Sequence, residues 1–127
     1  MKKLTLALFF GLFIFAGKLY AAGPYDGIWS MSYLGTAVGY VSTHENNGAL
    51  LVVFLPENSS HWEAYAGTRS GDTVDLSTIV SGATAMYSVR FISENQLDAN
   101  QIYCAPRLPG WRCSFPNGAI LQGTKVW

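Results

Sequence analysis

Two histidine–carboxylate pairs, a pair of cysteines and a tryptophan between two arginines are the groups in this 127-residue chain that could do chemistry. His44 is followed directly by Glu45, and His61 stands two residues before Glu63. An imidazole beside a carboxylate can move protons when a cleft perturbs both pKa values. Two imidazoles with a carboxylate can also hold a metal ion. Neither segment has the spacing of a metal motif, and no Gly-x-Ser-x-Gly elbow or phosphate loop accompanies them. Both histidines therefore read as polar residues near strand ends. The expectation is a non-enzyme without cofactor or metal.

Cys104 and Cys113 bracket a short loop, and two thiols with no histidine nearby make a poor zinc site. A disulfide is the expected state, closing a loop of about ten residues worth roughly 2.5–3 kcal/mol in chain entropy. Trp111 lies inside that loop beside Arg107 and Arg112, among Pro106, Pro109 and Gly110. A covalently closed loop carrying Trp and Arg suits recognition, because its ordering entropy is already spent. The competing reading is a turn whose Trp111 folds back onto the body of the domain. Trp62 and Tyr65 join Trp111, Arg107 and Arg112 as binding candidates. In residues 22–127 Tyr and Trp outnumber Phe by ten to three, which favours surfaces or pockets where a polar tip meets a partner.

The elements that must position these groups are strands. Turn signals recur every eight to twelve residues, among them Asn47-Gly48 and Asn117-Gly118, and Asn-Gly suits the positive φ angles of a type I′ hairpin. Between the turns, apolar and polar residues alternate. Val74, Leu76 and Val80 oppose Thr73, Asp75 and Ser77, and Ala85, Tyr87, Val89 and Phe91 oppose Thr84, Ser88 and Arg90. This period of two marks half-buried strands. Alternation also puts His61, Glu63 and Tyr65 on one face. Residues 49–55 are apolar on both faces, as a strand covered on both sides would be. Strands are expected over 26–33, 37–45, 49–55, 61–66, 73–80, 83–92, 96–104 and 119–126, with a short piece at 111–115. The fold class is all-β, a small antiparallel up-and-down barrel of eight or nine short strands, whose closure removes exposed edges. A two-sheet sandwich is the alternative.

The first residues have a different character. Met1-Lys2-Lys3 followed by an apolar run over 4–16 and Ala21-Ala22 has the layout of a secretory signal peptide, too short to span about 30 Å of hydrocarbon. The domains expected are therefore a leader over 1–21 and one β domain over 22–127, periplasmic or secreted, meeting the membrane only in export. An oxidising compartment would pair the cysteines. Five basic and eight acidic residues leave residues 22–127 at net −3 with no basic run, so a nucleic-acid partner is not expected.

Gly27-x-Trp29 in the first strand and Lys125 in the last resemble the calycin group, the lipocalins and avidins. The resemblance implies a barrel whose Trp29 plugs one end beneath a basic side chain. Lys125 stands where that group has arginine, and the chain is shorter than a typical lipocalin. Gly27-x-Trp29, Gly39-Tyr40, Trp62 with Gly67 and the cysteine-bracketed C-terminal hairpin also resemble small exported bacterial β proteins, a likeness that implies fold and export but no activity. Small exported barrels that inhibit lysozymes share the size, the acidic balance and the cysteine pair, although their inhibitory motif is not matched residue by residue. The leading functional expectation is a binding module for a protein or surface partner, inhibitor-type barrels included. The alternatives are a carrier of a small apolar ligand inside the barrel and a miniature outer-membrane barrel.

Protein expressed with its own leader and recovered from the periplasm should have a denatured mass lacking residues 1–21 or 1–22 and two hydrogens. An intact N-terminus, or a full complement of thiol hydrogens, contradicts the leader or the disulfide respectively.

Overall fold

A computed structural model describes residues 23–127, and the leader expected over 1–21 lies outside the described residues. Eight antiparallel strands follow one another around a closed barrel: β1 (Gly27–Tyr33), β2 (Thr36–Asn46), β3 (Ala49–Pro56), β4 (Glu63–Ser70), β5 (Thr73–Val80), β6 (Ala83–Ser93), β7 (Gln96–Pro106) and β8 (Ile120–Lys125). The barrel form holds and the sandwich does not. The last strand pairs with the first, from Trp29 opposite Lys125 to Tyr33 opposite Leu121, so neither is left as an edge.

Local chemistry sets the meander. Leu34 and Gly35 take φ values of 49° and 78°, and Asn47 and Gly48 take 51° and 82°. Consecutive positive φ angles match the right-handed twist of the flanking strands, which is why two-residue hairpins favour them. Gly35 and Gly48 adopt this backbone without penalty, and Asn47 tolerates it. Leu34 has no such excuse, and the hairpin imposes the conformation on it.

The alternating pattern puts Leu50, Val52, Val74, Leu76, Val89, Phe91, Leu97 and Leu121 into the interior. Exposed outward positions include His44, Asp75, Ser77, Arg90, Gln122 and Thr124. Tyr40, Met86, Ile92, Ile102 and Ile120 are exposed on the strands as well, so the outer wall mixes polar and apolar residues. The expected double covering of residues 49–55 is not found: Leu50 and Val52 are buried, whereas Leu51 and Leu55 are exposed. A single-walled barrel has no second layer, so every strand keeps one face in solvent however apolar it is. Residues 111–115 form no strand and belong to the β7–β8 connection.

One end is sealed by the chain's own groups. Trp29 is fully buried, and its Nε1 donates to Thr43 Oγ1 at 3.0 Å. Thr43 in turn donates to the Tyr25 carbonyl. Tyr25 stacks on Phe91 with centroids 3.9 Å apart, and Phe91 also meets Trp29. The Lys125 Nζ lies 5.1 Å from the Trp29 ring centroid and donates to the Pro24 carbonyl at 3.1 Å. Arg69 binds the buried Glu45 carboxylate through two nitrogens, at 2.9 and 2.6 Å, and lies over Tyr25. That fork raises the Arg69 pKa against the opposing effect of burial.

Thr43→Val keeps the shape but removes the hydroxyl that receives the buried indole N–H, leaving it the longer bond to the Tyr25 carbonyl at 3.3 Å. The loss should be about 1–3 kcal/mol of unfolding free energy, read from urea denaturation. A change below a few tenths of a kcal/mol would show that the hydrogen bond adds nothing to the plug.

Candidate functional site: the open mouth

Four connections lie at the opposite end, and the two longest frame its mouth. The segment 57–62 joins β3 to β4, and residues 107–119 join β7 to β8. The second is tied down at several points. Arg107 N and Leu108 N both donate to the Gly82 carbonyl, Gly118 N donates to the Gln101 carbonyl, and Gln101 Nε2 donates to the Phe115 carbonyl. The disulfide Cys104–Cys113 closes it covalently. A disulfide-bonded pair fits an oxidising compartment.

Trp111 turns inward on this frame. Its ring packs on Gly82 so closely that a Cβ there would lie 2.2 Å from it, and its edge meets His61 with centroids 5.1 Å apart. It is half-buried, not displayed at a loop tip. Arg112 lines the same mouth but is exposed. Arg107 and Trp62 are exposed beyond the mouth lining, and Tyr65 is buried in its floor. Three of the five residues singled out by sequence, Trp111, Arg112 and Tyr65, therefore converge, and two do not.

The floor contains groups beyond the binding candidates drawn from the sequence. Glu63 begins β4 facing inward, and its two carboxylate oxygens accept from Tyr65 Oη and Ser81 Oγ, each at 2.6 Å. Tyr87 donates to Gln101 Oε1 at 2.8 Å, and its ring meets Tyr65 edge to face. Burial pushes both phenols well above the usual tyrosine range. For Tyr65 the neighbouring Tyr87 and the bond to Glu63 add to this, and for Tyr87 the Glu63 charge adds. Both rings are neutral at physiological pH. The alternation that put His61, Glu63 and Tyr65 on one face was the available signal for Glu63. Ser81, Tyr87 and Gln101 offered none, because they reach the mouth from other strands.

The mouth encloses about 250 Å³. Beneath it, an apolar space of only about 60 Å³ lies inside the barrel, and Phe54, Tyr65 and Tyr87 line both. Small-molecule sites occupy roughly 300–1,000 Å³. The mouth therefore fits a small group or a single side chain, while the interior space is about two waters in size at roughly 30 Å³ each.

A Ser–His contact exists at the rim, with Ser59 Oγ 3.3 Å from His61 Nδ1. Nucleophilic catalysis needs a third group to orient the imidazole. Glu63 accepts from Tyr65 and Ser81, and among the described residues no hydrogen bond joins it to His61. His44 bonds Ser42 on the outer wall, away from the mouth. Among the described residues, no group of three or more His, Cys, Asp or Glu is placed to hold a metal. The chain matches no described protein family, no curated protein and no solved structure.

In unfolded chains tyrosine loses its proton above about pH 10, whereas Tyr65 and Tyr87 keep theirs in the fold. Their stabilisation is intact below that pH and is lost as pH rises beyond it, by about 1.4 kcal/mol per pH unit for each ring. Urea midpoints between pH 9 and 11.5 should fall more steeply for the native chain than for Tyr87→Phe. Equal slopes would contradict the burial of this pair.

Proposed function

We propose that this chain is an exported, non-enzymatic binding module that engages a protein or surface partner at the open mouth of its barrel, in the periplasm or outside the cell. The observation that carries this reading is the contrast between the two ends. One is filled by the chain's own Trp29, Tyr25, Arg69 and Lys125. The other holds an aromatic, partly polar hollow framed by a disulfide-closed loop. Aromatic residues and arginine in a rigid concave frame are the groups that dominate binding energy at interfaces. Within this reading Trp111 and Tyr65 form the contact surface of the hollow. Arg107, Arg112 and Trp62 provide exposed groups around it. The small interior space argues against an apolar ligand carried inside the barrel.

Amide-shift mapping against a panel of small aromatic fragments, charged and neutral, tests the site. Shifts should concentrate in residues 57–65 and 107–115. Gly82→Ala, which displaces Trp111 without touching the floor, should weaken every hit at least tenfold. Shifts spread over the outer wall, or mouth hits unaffected by Gly82→Ala, would overturn the proposal.

A further inference from the structure

The two ends of the barrel carry similar chemistry with one difference. At the sealed end, a buried carboxylate and aromatic rings surround cations supplied by the chain itself. Arg69 sits between Glu45 and the Tyr25 face, and Lys125 sits over Trp29. At the open end, Glu63 stands among Tyr65, Tyr87, Trp111 and His61. Among the described residues the ion pairs are Arg69–Glu45 and Arg90–Asp72, and neither involves Glu63. Arg112 lines the rim and is exposed, and it forms no ion pair with the carboxylate.

We infer that the mouth is a site for an organic cation, a primary ammonium or guanidinium group, seated on Glu63 and walled by aromatic rings. This rests on the mouth being the binding site and names the chemistry of its ligand. Three physical arguments carry it. Each carboxylate oxygen has accepted one hydroxyl, and an ionised carboxylate offers about four acceptor positions in all, so capacity is left for a donor from the hollow. Both donors to Glu63, Tyr65 and Ser81, are hydroxyl groups, so among the described residues the carboxylate has no cation of the chain paired to it. Aromatic walls add attraction for a cation and exclude water from around it, which strengthens a charge-assisted hydrogen bond. A hollow of about 250 Å³ admits one such group with a short stem. The same chemistry can come from a free amine or from a Lys or Arg side chain of a partner protein.

Calorimetric or NMR titration with benzylammonium and with benzyl alcohol, its neutral counterpart of equal size, separates charge from shape. The ammonium should bind at least tenfold more tightly to the native chain, and Glu63→Gln should erase that preference. Equal binding of the two probes, or a preference that survives Glu63→Gln, overturns the inference. Equal binding at the mouth would still leave the binding site in place, whereas the absence of mouth shifts with either probe removes both. Should Glu63→Gln fail to fold, the comparison of probes on the native chain decides alone. A capped pentapeptide, Gly-Gly-Lys-Gly-Gly, distinguishes the sources. Tighter binding than benzylammonium assigns a protein side chain, and weaker binding with the amine preference intact assigns a free amine.

Discussion

The structure depends on closing eight short strands without leaving a hole. Closure of β8 onto β1 satisfies the edge hydrogen bonds, but it creates a tube whose two ends expose the core to water. Strand alternation can fill the middle of such a tube with Leu, Val and Phe, and it cannot fill the ends, where strands stop and turns begin. Trp29 resolves one end. Its indole covers the core, and its single polar atom finds Thr43, which relays the bond to the Tyr25 carbonyl. A buried N–H without such a partner would cost about 1–3 kcal/mol. The segment ahead of β1 is therefore part of the fold. Pro24 and Tyr25 lie across the plug, and Asp26 accepts from the Glu45 amide at 2.7 Å.

Much of this was legible in the chain. Turn spacing, period-two alternation and the apolar run over 49–55 together located all eight strands to within a few residues. Lys125 over Trp29 follows the arrangement implied by the calycin likeness, and the pairing that places them side by side is direct. Two features misled. Residues 49–55 are apolar on both faces for a reason that the barrel does not supply, since Leu51 and Leu55 are exposed. Trp111 has the sequence context of a displayed residue, yet it is folded inward. That outcome was decided by Gly82, which leaves room for the ring and stands far from it in sequence.

The mouth was less legible than the fold because its residues come from many separate segments. Glu63 and Tyr65 belong to β4, Ser81 precedes β6, Tyr87 lies within β6, Gln101 within β7, and Trp111 follows it. Register alone brings Tyr65 and Tyr87 together through β5, where Tyr65 pairs with Thr78 and Leu76 pairs with Tyr87. A one-residue slip in either ladder would turn a ring to the outside. The bulge at Ala64/Tyr65 shifts the register beside the mouth and bends the strand there. Such positions are fixed by hydrogen-bond counting across strands, which no local pattern records.

The same dependence explains why the disulfide sits where it does. Cys104 is at the end of β7, and the chain must then travel to Ile120 before it can re-enter the sheet. Phe115 packs against Tyr33 and the core and Ala119 is buried, and the backbone bonds of the connection are spread over Gly82, Gln101 and its own turns. The covalent link divides it into a short closed loop and a second segment held by the Gln101–Phe115 bond. Trp111 and Arg112 fall inside the closed part, next to Cys113. The link and the packing of Trp111 on Gly82 hold this part, which no strand pairing reaches. The sealed end keeps its shape through the core it covers. The open end, which has surrendered that burial to make a hollow, keeps its shape through a covalent bond and a network of polar contacts.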